Sequence, residues 1–498
     1  MPRLKILFAV PECFPFAKTG GLGDVGGALP IALAARGHDV RVVMPRYRVT
    51  KKHESRLLAG PLGIPFGAGT LWAGVRRAQL SNRHGATVPV YFLEYDELFD
   101  RSGIYGDAGG GYGDNTKRYS VLSRGALELC RYLGFDPDVV HVHDWPTCLV
   151  PVLLDTVEAG TRLGRAASVL SIHNMAYQGW DSRSSYGELG VPWDPETFSA
   201  LELHGQLNLL KAGIVHSTIV STVSPNYARE IQTREGGEGL DALLRMRGGD
   251  VVGVLNGIDD EAWNPELDPH IAAHFSANDL SGKAVCKAAL QREMGLPERA
   301  DVPLVGLVSR LVAQKGVDLV VDALGELIAT GAQFVFLGSG DASIEAVFQR
   351  ASHATESFRA FIGMNEGLAH RIEAGADLFL MPSRYEPCGL NQMYSQRYGT
   401  VPVVRATGGL VDSVIPWDPD TKKGTGFLFA DYSGDAMLGA LARALDVFGR
   451  PAEWTRLQQN GMKTDFSWDR SARAYVTVYK GVIAARRTRR PKAPAART

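Results

Sequence analysis

The stretch Lys18-Thr19-Gly20-Gly21-Leu22-Gly23-Asp24-Val25-Gly26-Gly27 decides the fold, and half of its ten residues are glycine. It follows an apolar run, 4–10, that predicts a buried strand, and it precedes a segment, 28–35, that predicts a helix. A glycine-rich turn between a strand and a helix brings backbone N–H groups against a phosphate. The stretch therefore predicts an α/β unit whose first turn faces an anion.

The segment Gly21 to Gly26 also matches the G-x-G-x-x-G pattern of dinucleotide-binding proteins. In that fingerprint the first glycine follows the strand almost directly, whereas residues 11–20 intervene here. The second predicted strand, 39–44, begins with Asp39 and is followed by Pro45-Arg46 rather than by the acidic residue that would hold a ribose. Because a lysine also stands two residues before the first glycine, an NAD site is not favoured.

Length and composition restrict the class of protein. A chain of 498 residues exceeds what one core normally holds, so two domains are expected. Hydrophobic residues make up 45% and charged residues 21%, which is ordinary for a globular protein. The formal net charge of −1 gives no electrostatic reason to expect a nucleic acid or an anionic membrane as partner.

The cysteines and the ends of the chain bear on location. The cysteines are odd in number and form no CxxC pair, which indicates a reducing compartment and no structural zinc. The N-terminus lacks the pattern of a signal or transit peptide, and no window reaches about 18 apolar residues. We therefore expect a cytoplasmic protein, with a flexible basic tail at 486–498.

Short β-branched runs recur along the chain, and a loop and an amphipathic helix follow each. In the first half they are 5–10, 39–44, 87–93, 139–143, 168–172 and 218–223, and in the second half 251–255, 302–308, 332–337, 358–362, 378–381 and 401–404. This alternation predicts parallel sheets with right-handed crossovers. Two such series predict an α/β protein of two doubly wound, Rossmann-like domains.

The predicted boundary lies near Asn256-Gly257-Ile258-Asp259, which gives an N-terminal domain at 1–255 and a C-terminal domain at 256–466. A last helix, 467–485, is expected to pack back on the first domain. Ligands of open α/β sheets bind at the carboxyl ends of the strands. We therefore expect the two domains to face each other across a cleft.

Two motifs follow strands of the first half. In His141-Val142-His143-Asp144-Trp145 both imidazoles share one strand face, which raises a metal site. The usual metallohydrolase continuation is missing, so core histidines beside a cleft-facing Asp144 are favoured over a metal. After the next strand His173 stands with Asn174 and Gln178, and structural and functional roles remain equally open for it.

Three motifs follow strands of the second half. Arg310 and Lys315 flank a loop before a helix, a pattern typical of a diphosphate clamp. Glu386 precedes Cys388-Gly389-Leu390 and offers a carboxylate to sugar hydroxyls, whereas Cys388 has no adjacent base and is interpreted as packing. Thr407-Gly408 forms another turn suited to phosphate. The Asp-Pro-Asp triplets at 136–138 and 418–420 are interpreted as turns rather than as metal ligands.

Together these motifs resemble the bacterial glycogen synthase and plant starch synthase family, glycosyltransferase family 5. The resemblance covers residues 4 to 480 in family order, through KTGGLGDV at 18–25, HVHDW at 141–145, HNMAYQG at 173–179, NGID at 256–259, SRLVAQKG at 309–316, EPCGL at 386–390 and TGGL at 407–410. It implies a GT-B fold and transfer of glucose from ADP-glucose to the non-reducing 4-OH of an α-1,4-glucan such as glycogen. Anomeric configuration would be retained, without a metal or another cofactor.

The resemblance also implies roles for individual residues. The expected catalytic residues are Glu386, Asp144, His173, Arg310 and Lys315. The expected substrate-binding residues are Lys18, Gly20, Gly21, Tyr105, Asn174, Asn256, Met364, Cys388, Gly389, Leu390, Thr407 and Gly408. Lys18 and Gly20-Gly21 would reach the donor from the N-terminal domain, and Arg310 and Lys315 would stabilise the departing diphosphate.

One departure from the family concerns the nucleobase. The family usually has an aromatic residue in the segment that reads Gly363-Met364-Asn365-Glu366 here. Met364 can cover a base with its thioether but has no aromatic face, so UDP-glucose stays open as the donor. A phosphorylase-like or sucrose synthase-like transferase of the same fold and a non-enzymatic polysaccharide-binding protein are competing hypotheses. Against the binding protein, glucan binding alone needs no diphosphate clamp.

Overall fold

The computed structural model describes residues 3–488 and divides them into two compact units. The N-terminal unit takes 3–223, 228–257 and 468–488, and the C-terminal unit takes 224–227 and 258–467. The basic tail expected at 486–498 lies outside the described residues from 489 onward. Its first three residues end the helix Trp468–Thr488. Within the described part of the chain, no helix combines the length and the apolarity needed to cross a membrane.

A ten-stranded sheet forms the centre of the N-terminal unit. Seven parallel strands lie in the order Val251–Gly253, Ile219–Thr222, Ala167–Ile172, Val139–His143, Lys5–Ala9, Asp39–Pro45 and Thr87–Glu94. Antiparallel strands extend it: Gly69–Ser81 pairs with Thr87–Glu94, and both Arg56–Leu57 and Leu62–Phe66 pair with Gly69–Ser81. Smaller antiparallel groups are Trp180–Ser182, Gln206–Asn208 and Glu202–Leu203, and Gly106–Asp107 with Gly110–Gly111.

The helices of this unit lie between and after its strands in the sequence, and one of them, Pro225–Glu230, has its first three residues in the C-terminal unit. The helices are Gly21–Ala35, Asp96–Phe99, Asn115–Tyr132, Leu149–Asp155, Pro195–Leu201, Leu209–His216, Pro225–Glu230, Asp241–Arg247 and Trp468–Thr488. The last of them buries Tyr475 and Tyr479 in the N-terminal unit, where Tyr479 meets His141.

The C-terminal unit is built on a six-stranded parallel sheet. Its order is Phe358–Ile362, Gln333–Gly338, Leu304–Val308, Leu378–Met381, Val401–Arg405 and Phe427–Phe429. Its helices are Ser281–Met294, Val317–Asp322, Leu324–Ala329, Ala342–Ala354, Glu366–Gly375, Asn391–Arg397, Gly408–Ser413, Gly434–Phe448 and Pro451–Met462. Along one strand Phe334 and Phe336 enter one apolar cluster while Val335 and Leu337 enter another. Both faces of the sheet are therefore buried, as parallel sheets require.

The expectation of parallel α/β sheets is confirmed, but three details differ. The run predicted at 251–255 was grouped with the second series, although the predicted domain limit at 255 includes it in the first, and Val251–Gly253 pairs with Ile219–Thr222 in the first sheet. The long antiparallel strand Gly69–Ser81 was not predicted. The helix predicted at 28–35 begins earlier, at Gly21, so most of the glycine stretch is helical rather than a turn.

Close packing explains why glycine is tolerated inside that helix. A Cβ added at Gly26 would lie 2.3 Å from the carbonyl oxygen of Glu12, and one at Gly27 would lie 2.4 Å from that of Phe14. Helical glycine costs roughly 1 kcal/mol relative to alanine. These two glycines therefore allow the loop after the first strand to pack closely against the helix. The hypothesis that the glycine stretch contacts a phosphate concerns only the residues before them.

Candidate active site

A buried carboxylate organises the loop that precedes the first helix. Glu12 Oε2 accepts hydrogen bonds from the backbone N–H groups of Thr19 at 2.5 Å and Gly20 at 3.2 Å. Glu12 Oε1 accepts from the hydroxyls of Thr19 and Tyr105, each at 2.7 Å. The N–H of Gly20 and the hydroxyl of Tyr105, both expected at a substrate, are thus engaged with Glu12. Glu12 was missed by the sequence analysis, although a charged residue soon after a buried strand is a usable signal.

The two glycines that open the helix differ from those inside it. A Cβ at Gly20 or Gly21 would meet no atom of the described chain within 4 Å. A Cβ at Gly23 would lie 2.8 Å from Cγ of Lys18, so Gly23 makes room for that side chain. Lys18 Nζ lies 2.7 Å from Asp24 Oδ1 in an ion pair that is partly exposed. Since such pairs contribute at most about 1 kcal/mol, Asp24 holds this ammonium group only weakly.

Asp144 and His173 lie together at the carboxyl ends of neighbouring strands. Asp144 has a φ of 54°, an uncommon value for a residue with a side chain. Its Oδ1 accepts the backbone N–H of His173 at 2.7 Å. Burial raises the pKa of Asp144 to about 8, and hydrogen bonds from the backbone of His173 and Asn174 oppose this only in part. A half-buried group with a shifted pKa on a strained backbone is typical of a functional position.

The histidines of the H-x-H motif have protein partners. His141 Nδ1 lies 2.8 Å from the hydroxyl of Tyr479, and its Nε2 lies 2.6 Å from Ser171 Oγ. His143 Nδ1 lies 3.0 Å from His173 Nε2. Burial lowers the pKa of His173 to about 3 and that of the other two well below the usual value. These contacts support the interpretation of His141 and His143 as neutral core histidines.

In the C-terminal unit, Lys315 and Glu386 form an ion pair. Lys315 Nζ lies 2.6 Å from Glu386 Oε2, and the hydroxyl of Ser383 donates to the same oxygen at 3.1 Å. Glu386 is buried, with 6% of its surface exposed. A buried carboxylate needs such partners, because an unpaired buried charge is costly. Ser383 was not singled out from the sequence.

Backbone packing brings three loops to this carboxylate. Gly316 has a φ of 71°, and a Cβ there would lie 1.9 Å from the carbonyl oxygen of Pro382. Gly408 has a φ of 46°, and a Cβ there would lie 1.9 Å from the carbonyl oxygen of Glu386. The loops follow the adjacent strands Leu304–Val308, Leu378–Met381 and Val401–Arg405. Parallel neighbours end at the same edge of the sheet, so motifs far apart in sequence meet.

The other predicted residues of this unit surround the same edge. Arg310 is exposed, and its guanidinium donates to Gln314 Oε1 at 3.1 Å. Thr407 is buried and precedes the helix Gly408–Ser413. Cys388 is buried, which agrees with its interpretation as packing. Gln392, which was missed, donates to the carbonyl oxygens of Cys388 at 3.1 Å and of Gly389 at 3.0 Å and so shapes the turn before Leu390.

Three further predicted residues have different surroundings. Met364 follows the edge strand Phe358–Ile362 and is 96% exposed. Asn174 is half-buried, and its Oδ1 accepts the backbone N–H of Ala176 at 3.0 Å. Asn256 is buried, and its Oδ1 meets no hydrogen-bond donor within residues 3–488. An unsatisfied buried oxygen of this kind is uncommon.

Comparison with known proteins agrees with this architecture. Residues 5–246 match the family model of the starch synthase catalytic domain, and residues 294–458 match that of glycosyl transferases group 1. A glycogen synthase of Anaeromyxobacter sp. is 53% identical over 97% of this chain and 100% of its own length. Glycogen synthase 1 of Geobacter metallireducens is 49% identical over 96% of each chain.

Two solved structures are also similar. The catalytic domain of starch synthase IV from Arabidopsis thaliana, bound to ADP and acarbose, has a TM-score of 0.88 and 36% identity over 97% of this chain and 100% of its own. A sucrose-phosphate synthase from Thermosynechococcus elongatus, at 17% identity and a TM-score of 0.60 over 97% of this chain and 100% of its own, shares the fold. The two units and these matches define a glycosyltransferase of the GT-B fold. The chain belongs to the glycogen synthase family.

Proposed function

We propose that this protein elongates α-1,4-glucan by transferring glucose from ADP-glucose to a non-reducing 4-OH, with retention of configuration and release of ADP. The observation that carries the proposal is the Lys315–Glu386 pair, held where three glycine-dependent loops meet. The ADP in the starch synthase IV structure supports adenine as the base of the donor. The names of the bacterial relatives support glycogen as the acceptor.

The transfer of glucose requires cations beside the departing diphosphate. Breaking the bond between glucose and diphosphate places negative charge on the diphosphate, which Arg310 and Lys315 are suited to stabilise. In the structure Lys315 is neutralised by Glu386 at 2.6 Å. A bound diphosphate would share this ammonium group, and Thr407 and Gly408, at the start of the helix Gly408–Ser413, remain proposed contacts of the phosphates.

Carboxylates and peptide groups are assigned to the sugar. We propose that Glu386 and the backbone at Cys388, Gly389 and Leu390 position the donor glucose through its hydroxyls. In the N-terminal unit, Asp144 and His173 are assigned to glucose and acceptor hydroxyls, and Lys18 is assigned to the donor. Tyr105, Asn174 and Asn256 remain proposed binding residues. The leaving diphosphate needs little protonation, so a pair of carboxylates at the spacing of a glycosidase is not required.

Location and partners complete the proposal. All five cysteines are buried with free thiols, which supports a reducing compartment, and we propose the cytoplasm. The donor and the glucan are the proposed partners. The domain limits at 255 and 466 stay predictions.

The test is nucleotide release by the purified protein from ADP-glucose and from UDP-glucose, each with and without glycogen. We expect ADP to be released only when glycogen is present, and no phosphate or cofactor should have to be added. A requirement for inorganic phosphate would indicate a phosphorylase, and glycogen binding without release would indicate a binding protein. Equal or faster turnover of UDP-glucose would overturn the choice of donor and leave the transfer reaction intact.

A further inference from the structure

His143 is a buried imidazole whose two nitrogens have different surroundings. Its side chain is fully buried, and its Nδ1 lies 3.0 Å from Nε2 of His173. Its Nε2 is buried and has no hydrogen-bond partner among residues 3–488. From the sequence, His143 was interpreted as a core histidine and His173 as a site residue, and no contact between them was predicted.

The contact between the two rings allows only one proton. Both imidazoles are neutral, since burial lowers the pKa of each, so each ring carries one N–H. Either His143 Nδ1–H donates to His173 Nε2, or His173 Nε2–H donates to His143 Nδ1. In the second arrangement the proton of His143 would sit on its unpartnered Nε2 as an orphaned buried N–H. Such donors are rarer than under-satisfied acceptors, so the first arrangement is favoured.

Packing fixes the ring of His143, so the ring cannot turn toward another hydrogen-bond partner. Its ring is stacked with Phe8 at 5.4 Å and lies 4.2 Å from the ring of His141. His141 is itself held through both nitrogens, by Tyr479 and Ser171. The backbone N–H of His143 donates to Thr147 Oγ1 at 2.7 Å. The His143 ring is therefore fixed in position, and the only neighbour that meets its Nδ1 within the described chain is His173.

We propose that His143 is a positioning residue that holds His173 in the tautomer with its proton on Nδ1. His143 Nδ1–H donates to His173 Nε2, so His173 presents Nδ1–H as a hydrogen-bond donor and cannot act as a base through Nε2. Under the proposed function, the group that receives this donor is a hydroxyl of glucose or of the glucan. The tautomer itself does not depend on that function, whereas its effect on turnover does.

Two substitutions of equal size, His143→Asn and His143→Asp, separate a positioning role of His143 from a purely structural one. An Asn side chain places its amide nitrogen near the site of a histidine Nδ1, so His143→Asn retains a donor for His173 Nε2. His143→Asp places a carboxylate oxygen there, which accepts and draws the proton of His173 onto Nε2. The two variants match in size and differ in charge and in the sense of one hydrogen bond, so the readout that separates the roles is the tautomer of His173, which a purely structural loss would leave the same in both.

The test is ¹⁵N NMR of the full-length protein with labelled histidine, with the His173 resonances assigned by their loss in His173→Gln. We expect wild type and His143→Asn to show His173 protonated at Nδ1, and His143→Asp to show it protonated at Nε2 or at both nitrogens. In the glucan transfer assay, kcat of His143→Asn should stay within about threefold of wild type. That of His143→Asp should fall about 100-fold, since a wrong histidine tautomer is costly to catalysis.

Other results would overturn the proposal. Protonation of wild-type His173 at Nε2 would contradict it, as would the same tautomer in the Asn and Asp variants. Circular dichroism and the unfolding midpoint of each variant show whether it folds, and the tautomer of His173 in the wild-type protein decides the proposal if a variant does not. A wild-type enzyme with the Nδ1 tautomer but no glucan transfer would contradict the proposed function and leave the tautomer assignment standing.

Discussion

Lys315 Nζ lies 2.6 Å from Oε2 of Glu386, and the two side chains come from loops that follow adjacent parallel strands. The side chain of Glu386 is 7% exposed and that of Lys315 is 20% exposed, so solvent screens this pair far less than a surface ion pair. The contact joins the residue assigned to the diphosphate with the residue assigned to the sugar. Binding a nucleotide sugar would therefore have to redistribute this charge pair.

The first prediction concerns Glu386→Gln. The variant keeps the shape of the side chain but removes its charge, and it weakens the hold on Lys315 and on the donor hydroxyls. We expect kcat to fall about 100- to 1000-fold, the range seen when one preorganised polar contact is lost, while the circular dichroism spectrum stays unchanged. The exposed Glu326→Gln on a helix of the same unit is the matched control and should retain full activity. Normal turnover in Glu386→Gln would remove Glu386 from the site.

The second prediction concerns the stability of the same pair. Lys315→Met leaves the buried carboxylate of Glu386 without its cation, so the free energy of unfolding should fall by about 1–3 kcal/mol. The double variant Lys315→Met with Glu386→Gln should recover part of this loss, because the remaining amide is neutral. Urea denaturation of the four proteins measures the coupling. Strictly additive effects would show that the two side chains do not interact.

The third prediction concerns Glu12, which accepts four hydrogen bonds, from Thr19 and Gly20 of the glycine loop and from Tyr105. Glu12→Gln turns one acceptor into a donor that faces other donors, so the loop should loosen. We expect the KM for the sugar nucleotide to rise about tenfold, which corresponds to one lost hydrogen bond to a charged group. Tyr105→Phe removes only one of the four hydrogen bonds and should have a smaller effect. If both variants bind the donor like wild type, the loop does not depend on Glu12.

Most strands of the fold could be predicted from the sequence, because central parallel strands are buried on both faces and appear as continuous apolar runs. The strands Val139–His143, Phe358–Ile362 and Leu378–Met381 have the predicted bounds. Gly69–Ser81 was missed because one of its faces meets solvent and its pattern mixes arginine with small residues. The start of the first helix was missed because Gly26 and Gly27 serve tertiary packing, which local propensity does not contain.

The candidate site could be predicted only in part. Arg310, Lys315, Glu386 and Thr407 stand in recognisable loops after strands, so their motifs placed them at one sheet edge. The ion pair of Lys315 with Glu386 and the hydrogen bonds of Glu12 depend on side-chain positions after packing. Nothing in the spacing of His143 and His173 indicates that their nitrogens lie 3.0 Å apart.

The fourth prediction follows from the raised pKa of Asp144, about 8 against an ordinary value of 3.8. Between these values the native protein keeps a proton that the unfolded chain has released, so this group makes stability fall as pH rises from about 4 to 8. Asp144→Asn removes the contribution and should gain stability relative to wild type as pH increases across that window. Urea unfolding of both proteins from pH 5 to pH 9 measures the difference. A difference independent of pH would contradict the raised pKa.

The fifth prediction concerns Met364, which is 96% exposed and stands where the resemblance to the family leads us to expect an aromatic residue. Met364→Tyr adds a flat face for adenine, and an aromatic contact contributes about 0.5–1.5 kcal/mol beyond its buried area. The KM for ADP-glucose should fall about two- to tenfold while kcat changes little. Met364→Ala should raise KM, and the exposed Met246→Ala in the other unit serves as the control. An unchanged KM in both Met364 variants would show that the adenine base binds elsewhere.

The proposed elongation of α-1,4-glucan from ADP-glucose can be tested with the purified protein, ADP-glucose that carries a labelled glucose, and glycogen. The product is then digested with a hydrolase specific for α-1,4 bonds at non-reducing ends. We expect the label to enter the polymer, to be released completely by the hydrolase, and to equal in amount the ADP formed. Label that stays in free glucose, that enters no polymer, or that resists the hydrolase would contradict it.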